Sequence, residues 1–153
     1  METLQEGVKA PDFKGLDHNG NEISLNDFKG KKIILYFYPK DNTPGCTAEA
    51  CNLNDNFELL TQKGFVVIGV SPDSPTSHQK FMAKFNLQFT LITDPEKTIL
   101  TQYEAYGEKM MYGKPVVGVI RKTYLIDEEG TIQKIIKKVD TKNHTEQILK
   151  YLA

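Results

Sequence analysis

The sequence lacks the features of several protein classes. It has no tryptophan, and its 153 residues include only two cysteines and three histidines. The 19 basic and 20 acidic residues give a formal net charge of -1, so the chain has no basic excess of the kind that binds nucleic acid or an anionic membrane. No apolar run approaches the ~20 residues of a membrane-spanning helix. With no linker or repeat, residues 1–153 are expected to form a single compact domain.

The N-terminal residues contain neither a basic region nor an apolar segment of a secretory signal. We therefore expect a cytoplasmic protein, in which two cysteines do not form a permanent structural disulfide. The two cysteines could instead be buried thiols, metal ligands or redox-active residues.

Apolar runs predict a central β-sheet with helices on both faces, because strand-like and helical segments alternate along the chain. The predicted strands are Lys32–Tyr38, Phe65–Val70, Thr90–Thr93, one centred on Arg121–Asp127 within Val116–Asp127, and Ile132–Val139.

Helix starts are indicated where a capping residue precedes a proline that suits the first helical position. This pattern occurs at Thr43-Pro44, Ser74-Pro75 and Asp94-Pro95, and a last helix is predicted from about Asn143.

The first of these helices carries both cysteines. If Thr43 is the N-cap, Cys46 lies at the third helical position, near unpaired amide groups and the positive end of the helix dipole. Both effects favour a thiolate, which is the nucleophilic form of cysteine. Cys46 also belongs to an apolar stripe with Ala50 and Leu53, so a buried, inert thiol is the alternative.

Cys51 follows five residues later. Ideal helix geometry separates the two Cα atoms by about 8.7 Å, whereas a disulfide needs less than about 7 Å. A Cys46–Cys51 bond therefore requires this helix to unwind. Metal binding is the other alternative, but Cys-x4-Cys does not match structural zinc spacing, and His18, His78 and His144 are scattered. We expect each histidine to be a surface residue and no metal to be bound.

The residues Pro39, Thr43 and Cys46 match the Pro-x-x-x-Thr-x-x-Cys signature, and the surrounding Tyr-Pro-Lys-Asp-Asn-Thr-Pro-Gly-Cys-Thr extends the match. Further agreement comes from Ala10-Pro11-Asp12-Phe13, Gly69-Val70-Ser71-Pro72-Asp73 and Arg121-Lys122-Thr123-Tyr124-Leu125-Ile126-Asp127. On these motifs the chain resembles the peroxiredoxins, in particular the bacterioferritin comigratory protein (peroxiredoxin Q) subfamily.

This resemblance implies a thioredoxin-like fold, with a mixed central β-sheet, and reduction of hydrogen peroxide or organic hydroperoxides without a cofactor. It implies that Cys46 attacks the peroxide, that Thr43 hydrogen-bonds the thiolate and the peroxide, and that Pro39 shields the sulfenic acid. Arg121 would supply a fixed positive charge, and Gly45 would let backbone amides approach the peroxide.

The resemblance further implies that Cys51 resolves the sulfenic acid to an intramolecular disulfide, which a thioredoxin-type protein reduces. Resolution within one chain indicates a monomer. Asn54 stands where many relatives carry arginine, so Glu49 is expected to lack an ion-pair partner. A redox sensor is one alternative to a peroxidase. A general disulfide oxidoreductase is another, but the chain lacks the CxxC motif that is typical of that class.

Overall fold

The computed structural model describes residues 4–152, and a mixed β-sheet forms its centre. The described elements, in chain order, are β1 (Lys14–Asp17), β2 (Glu22–Ser24), a 3-10 turn (Leu25–Phe28), β3 (Lys32–Phe37), α1 (Pro44–Asp55), α2 (Phe57–Gln62), β4 (Phe65–Ser71), α3 (Pro75–Phe85), β5 (Thr90–Thr93), α4 (Thr98–Gln102), β6 (Tyr106–Met111), β7 (Lys114–Val119), β8 (Lys122–Ile126), β9 (Ile132–Ile136) and α5 (His144–Leu152). The order of strands in the sheet is β2-β1-β5-β4-β3-β8-β9, and β6 and β7 form a separate hairpin. Strands β3, β4 and β5 run parallel, and the outer pairs are antiparallel. The predicted α/β architecture, a mixed central sheet flanked by helices, is confirmed.

Strand β3 lies between β4 and β8 and is buried on both faces. Its side chains alternate: Leu35 and Phe37 enter one apolar cluster with α4, whereas Ile34 and Tyr36 enter another with α1, α2, α3 and α5. Burying each such side chain contributes roughly 1.5–3 kcal/mol. The sheet is therefore covered on both faces, and the α1 side contains Cys46.

Helix α1 begins as predicted. Thr43 has the extended backbone of an N-cap (φ -96°, ψ 157°), and Pro44 is the first helical residue. Helix α3 begins in the same way after Ser74, whose side chain accepts a hydrogen bond from the amide of Ser77. Pro44 lacks only a donor that the first turn leaves unpaired, so proline starts the helix at no cost in hydrogen bonds.

The helix predicted at Asp94-Pro95 is wrong. The chain turns there, Lys97 adopts a left-handed conformation (φ 62°), and α4 begins at Thr98. The Asp94 carboxylate nevertheless accepts a hydrogen bond from Leu100 N, 2.8 Å away, so it caps a helix that starts later. Asp94 is thus a capping residue, but Pro95 lies in the turn and does not begin the helix.

The strand predicted around Arg121–Asp127 is β8, which begins at Lys122, and a separate strand, β7, ends at Val119 in the same stretch. Arg121 lies in the break between them and not within a strand. The sequence patterns also missed β1 and β2, which are short and lie towards one edge of the sheet. Within residues 4–152, no helix is long and apolar enough to cross a membrane.

Candidate active site

The candidate site is built around Cys46, the third residue of α1. Its side chain is 1% exposed, and Arg121 Nη2 donates a hydrogen bond to its sulfur over 3.3 Å. The first hydrogen bond within the helix runs from Thr47 N to Thr43 O, so the Gly45 and Cys46 amides lie before it, in the turn that favours an anion. The sulfur therefore accepts a hydrogen bond from a charged donor and lies at the positive end of the helix dipole.

Arg121 reaches this site from the break between β7 and β8, 75 residues beyond Cys46. It is the only arginine among the 19 basic residues of the sequence. Its second nitrogen, Nη1, donates to Glu49 Oε1 over 2.7 Å. Burial alone would lower the pKa of Arg121, but Glu49 and then Cys46 raise it, so the side chain stays charged.

Glu49 has the ion-pair partner that it was expected to lack. Asn54 does not replace that partner: it binds the loop after α3, donating to Asn86 O and accepting from Gln88 N, each over 2.9 Å. Arg121 instead pairs with Glu49. Glu49 follows Cys46 by one helical turn, and this i, i+3 spacing was the sequence signal that one cation could reach both side chains.

Gly45 lies against the same guanidinium group. A Cβ atom at this position would lie 3.3 Å from Arg121 Nη2, closer than nine in ten Cβ contacts. The absence of a side chain therefore lets Arg121 lie over the first turn of α1.

Thr43 and Pro39 lie on the loop that joins β3 to α1, and both are partly buried. The Thr43 hydroxyl donates to Lys40 O over 2.9 Å. Its proton is thus directed away from Cys46, and its lone pairs are what it can offer to a bound ligand.

Asp41 holds this loop in place. Its carboxylate accepts hydrogen bonds from Tyr38 Oη (2.6 Å) and Ser77 Oγ (2.8 Å) and lies 2.7 Å from His78 Nδ1. Its amide donates to Asp73 Oδ2. The expectation that His78 lies at the surface is wrong, because its side chain is fully buried and joins α3 to this loop.

Asp41, Asp73 and His78 bring potential metal ligands within 4.8 Å of one another. Each facing atom already has a protein partner, since Asp73 Oδ2 accepts from Asp41 N and from Ser71 Oγ. We interpret the cluster as the hydrogen-bonded support of the loop.

Cys51 lies on the same intact helix as Cys46, and both thiols are free. Its side chain is partly exposed, and burial, followed by the charge of Asp55, raises the pKa of its thiol. The next residue, Asn52, bonds to the start of α5: its Oδ1 accepts from Thr145 N (2.7 Å), and its Nδ2 donates to Lys142 O (3.0 Å). Asn52 and Asn54 thus attach the second half of α1 to two neighbouring segments.

His144 also departs from expectation: its side chain is fully buried at the start of α5, where the ring lies beside Glu49 and Thr123. Nothing in the local sequence around His144 indicates this position, because it depends on how α5 packs against α1 and β8. His18 is partly buried.

Comparison with known proteins identifies the family. Residues 7–135 match the AhpC/TSA family. Peroxiredoxin Bcp of Bacillus subtilis is 44% identical over 150 residues, which cover 98% of this chain and 96% of the relative. This chain belongs to the AhpC/TSA family, among the Bcp-type peroxiredoxins. The Escherichia coli peroxiredoxin Bcp is 39% identical over 99% of this chain and 97% of its own.

Solved peroxiredoxin structures have the same fold. A cysteine-to-serine mutant of Xylella fastidiosa PrxQ has a TM-score of 0.90 at 30% identity and covers 99% of this chain and 97% of its own. The bacterioferritin comigratory protein of Xanthomonas campestris has a TM-score of 0.88 at 32% identity and covers 97% of both chains. The thioredoxin-like peroxiredoxin fold is thereby confirmed, and membership of this family supports a thiol peroxidase activity.

Proposed function

We propose that this peroxiredoxin reduces hydrogen peroxide and organic hydroperoxides through Cys46 and is recycled by thioredoxin. The observation that carries the proposal is the buried sulfur of Cys46, 3.3 Å from Arg121 Nη2 in the first turn of α1. A guanidinium beside the sulfur favours the thiolate and can polarise a peroxide. The Xanthomonas campestris relative is described by its alkyl peroxide reduction activity, which supports organic hydroperoxides as substrates.

In the first step the Cys46 thiolate attacks one peroxide oxygen. The S–O bond forms as the O–O bond breaks, so the sulfur loses two electrons and the peroxide gains them. The departing hydroxide or alkoxide takes up a proton and leaves as water or alcohol, and Cys46 becomes a sulfenic acid.

The neighbouring groups suit this step. The Thr43 hydroxyl donates to Lys40 O, so it accepts a hydrogen bond from the peroxide O–H and does not donate to the thiolate. Arg121 and the amides beside Gly45 bind the oxygen on which negative charge develops. Pro39 shields the sulfenic acid from water.

In the second step Cys51 attacks the sulfenic sulfur, a disulfide forms and water leaves. The geometry of α1 requires the helix to unwind between the two cysteines, because their Cα atoms are about 8.7 Å apart in an ideal helix. A reduced thioredoxin then exchanges its dithiol for the disulfide and restores both thiols. Because each step uses one chain, we propose that the protein is a monomer. We also propose that it acts in the cytoplasm and that its chemistry needs no metal, haem or flavin.

The proposal is tested by peroxide consumption coupled to thioredoxin and its reductase. We expect Cys46→Ser to abolish turnover, and Cys51→Ser to consume about one equivalent of peroxide and then stop, because the sulfenic acid is no longer resolved. Continued turnover by Cys46→Ser would refute the role of Cys46.

A further inference from the structure

The second carboxyl oxygen of Glu49 has no hydrogen-bond partner. Glu49 is fully buried on α1, and its Oε1 accepts from Arg121, but no described residue donates to Oε2. His144 Nε2, at the start of α5, lies 3.4 Å from Oε2. Burying a charged carboxylate oxygen without a hydrogen-bond donor costs folding free energy. The protonation state of Glu49 and His144 therefore affects the stability of the site.

The hydrogen bonds around His144 fix its tautomer. Gln147 Nε2 donates to Lys138 O (2.8 Å) and Gln147 Oε1 accepts from Asp140 N (2.9 Å), which settles the orientation of the amide. The same Oε1 lies 3.0 Å from His144 Nδ1, and an oxygen that only accepts requires Nδ1 to carry the hydrogen.

Nε2 of a neutral His144 is therefore an acceptor, and the Thr123 hydroxyl donates to it over 2.8 Å. If Glu49 were ionised, its fully buried Oε2 would carry charge without any donor, 3.4 Å from this accepting nitrogen. One proton on Oε2 removes this cost, and Nε2 then faces two donors, Thr123 Oγ1 and Glu49 Oε2.

The buried environment determines which residue holds that proton. Burial raises the pKa of Glu49 to about 7, although the Arg121 charge opposes the change, and burial lowers the pKa of His144 to about 4. The proton therefore stays on Glu49, and neutral His144 accepts the hydrogen bond that the protonated carboxyl donates.

The number of charges around Arg121 shows how the proton on Glu49 affects Cys46. Arg121 touches both Cys46 and Glu49, so an ionised Glu49 and a Cys46 thiolate would place two anions against one mostly buried cation. We propose that Glu49 and His144 share one proton between Oε2 and Nε2, and that this proton leaves the charge of Arg121 to the Cys46 thiolate. The inference rests on the proposed function of Cys46, and both residues act through Arg121 as positioning residues.

Other titratable groups also face the pair. Tyr36 on β3 is buried, and burial followed by Glu49 raises the pKa of its phenol, so it stays neutral. Asp140, before α5, raises the pKa of His144, while Arg121 lowers it. Cys46 on α1 and Arg121 complete the charged set around Glu49.

The first test measures Cys46 directly by the ultraviolet absorbance of its thiolate, in a Cys51→Ser background where it is the only thiol. The absence of tryptophan lowers the background absorbance in that region, and the tyrosine and peptide background is removed by subtracting the spectrum of a Cys46→Ser, Cys51→Ser variant. Glu49→Gln copies a carboxyl that keeps its proton, and Glu49→Ala removes the contact to Arg121. At about pH 6, below the Glu49 pKa, Glu49→Gln should match the parent within about twofold.

At about pH 8, Glu49→Gln should show a larger thiolate fraction and faster reaction with hydrogen peroxide than the parent, by about twofold or more, because only the parent can ionise Glu49. Glu49→Ala should lose thiolate at both pH values. If Glu49→Gln instead falls with Glu49→Ala at both pH values, Glu49 acts as a carboxylate and the proposal is overturned.

The second test observes the proton itself. An infrared carbonyl band of a protonated carboxylic acid should be present at about pH 6, absent in Glu49→Gln, and shifted to higher frequency in His144→Phe, which cannot accept the hydrogen bond. A band that His144→Phe leaves unchanged would overturn the role of His144. Should His144→Phe fail to fold, nitrogen NMR of the unmodified protein must report a neutral ring with hydrogen on Nδ1, and an imidazolium at this pH would refute the assignment. Neither spectrum depends on peroxide, so a failure of the proposed peroxidase activity is recognised separately.

Discussion

At the scale of single residues, the geometry of the site depends on one guanidinium group. Arg121 uses Nη1 for Glu49 and Nη2 for Cys46, so it fixes two side chains one helical turn apart. Lysine offers one ammonium group and cannot reproduce a planar fork. Gly45 leaves room for that fork against the helix.

The Arg121→Lys variant tests this division of contacts. We expect its second-order rate constant with hydrogen peroxide to fall by about tenfold or more, because one ammonium cannot hold Glu49 and Cys46 together. Stopped-flow kinetics measures the change, and an unaltered thermal unfolding curve shows that the variant is folded. A rate equal to that of the parent would mean that charge alone, without the fork, suffices.

The Glu49–His144 pair also predicts how stability depends on pH. A lowered His144 pKa makes the unfolded chain bind more protons between about pH 4 and 6.5, so this residue makes the free energy of unfolding rise with pH. The raised Glu49 pKa does the opposite between about pH 4.5 and 7. In the parent the two contributions nearly cancel, because the pair holds one proton in either state.

Single substitutions should expose each contribution. Relative to the parent, His144→Phe should lose stability as pH rises from about 4 to 6.5, and Glu49→Gln should gain it from about 4.5 to 7, each by up to about 3 kcal/mol. Urea unfolding followed by circular dichroism at several pH values measures both. Parallel pH profiles for the two variants would contradict the shared proton.

At the scale of elements, the proposed cycle places two conflicting requirements on α1. Its first turn must be intact for the amides and the helix dipole to act on Cys46, whereas disulfide formation requires the segment between Cys46 and Cys51 to unwind. Asn52 and Asn54 attach the second half of the helix to α5 and to the loop after α3. These attachments oppose opening next to Cys51.

Removing one attachment should speed the resolving step. The Asn52 side chain makes two hydrogen bonds to the segment at the start of α5, and a loss of about 1 kcal/mol corresponds to about a fivefold change in the opening equilibrium. We therefore expect Asn52→Ala to form the disulfide about fivefold faster after oxidation, with the first step unchanged, as measured by quenched-flow mass spectrometry.

Gln79→Ala is a matched control, because Gln79 donates one hydrogen bond from α3 to His18 O, away from α1. It should leave disulfide formation unchanged. Equal acceleration by both variants would show that global stability, and not the attachment of α1, sets the rate.

The sequence predicted those elements whose local signals agree with their packing. Strands β3 and β4 are long apolar runs, β5 is a shorter run with Leu91 and Ile92 at its centre, and α1 begins at a capping threonine followed by proline. Asp94-Pro95 carries the same local signal but turns, because the carboxylate of Asp94 caps α4 from outside the helix. Strands β1 and β2 were missed because three or four residues give too short a pattern.

The candidate site was predictable to the same extent. The position of Cys46 in the first turn of α1 follows from the predicted helix start. Its contact with Arg121 joins residues 75 positions apart and depends on the pairing of β8 with β3. The single arginine of the sequence was a signal that could have singled out this residue. The burial of His78 and His144 depends on tertiary packing, which no local pattern encodes.

At the scale of the whole molecule, the sheet separates two apolar clusters. Ile34 and Leu35 are adjacent in β3 and equally buried, but Ile34 packs on the α1 side with Cys46 and Leu35 packs on the other side. Replacing either by alanine should cost about 2–5 kcal/mol of stability.

The two variants should nevertheless differ at the site. Ile34→Ala loosens the packing beneath α1 and should speed alkylation of Cys46 by iodoacetamide more than Leu35→Ala does, when both are compared at equal loss of stability in a Cys51→Ser background. Equal alkylation rates would indicate that the two clusters respond as one unit.

The central claim is that Cys46 attacks the peroxide and that Cys51 completes the cycle within one chain. Mass spectrometry after one equivalent of hydrogen peroxide tests it most directly. The predicted result is a monomeric protein that has lost two hydrogens, with the bond mapped to Cys46 and Cys51, and a Cys51→Ser variant that gains one oxygen on Cys46. A Cys46 thiol that remains reduced while the peroxide is consumed would contradict the account.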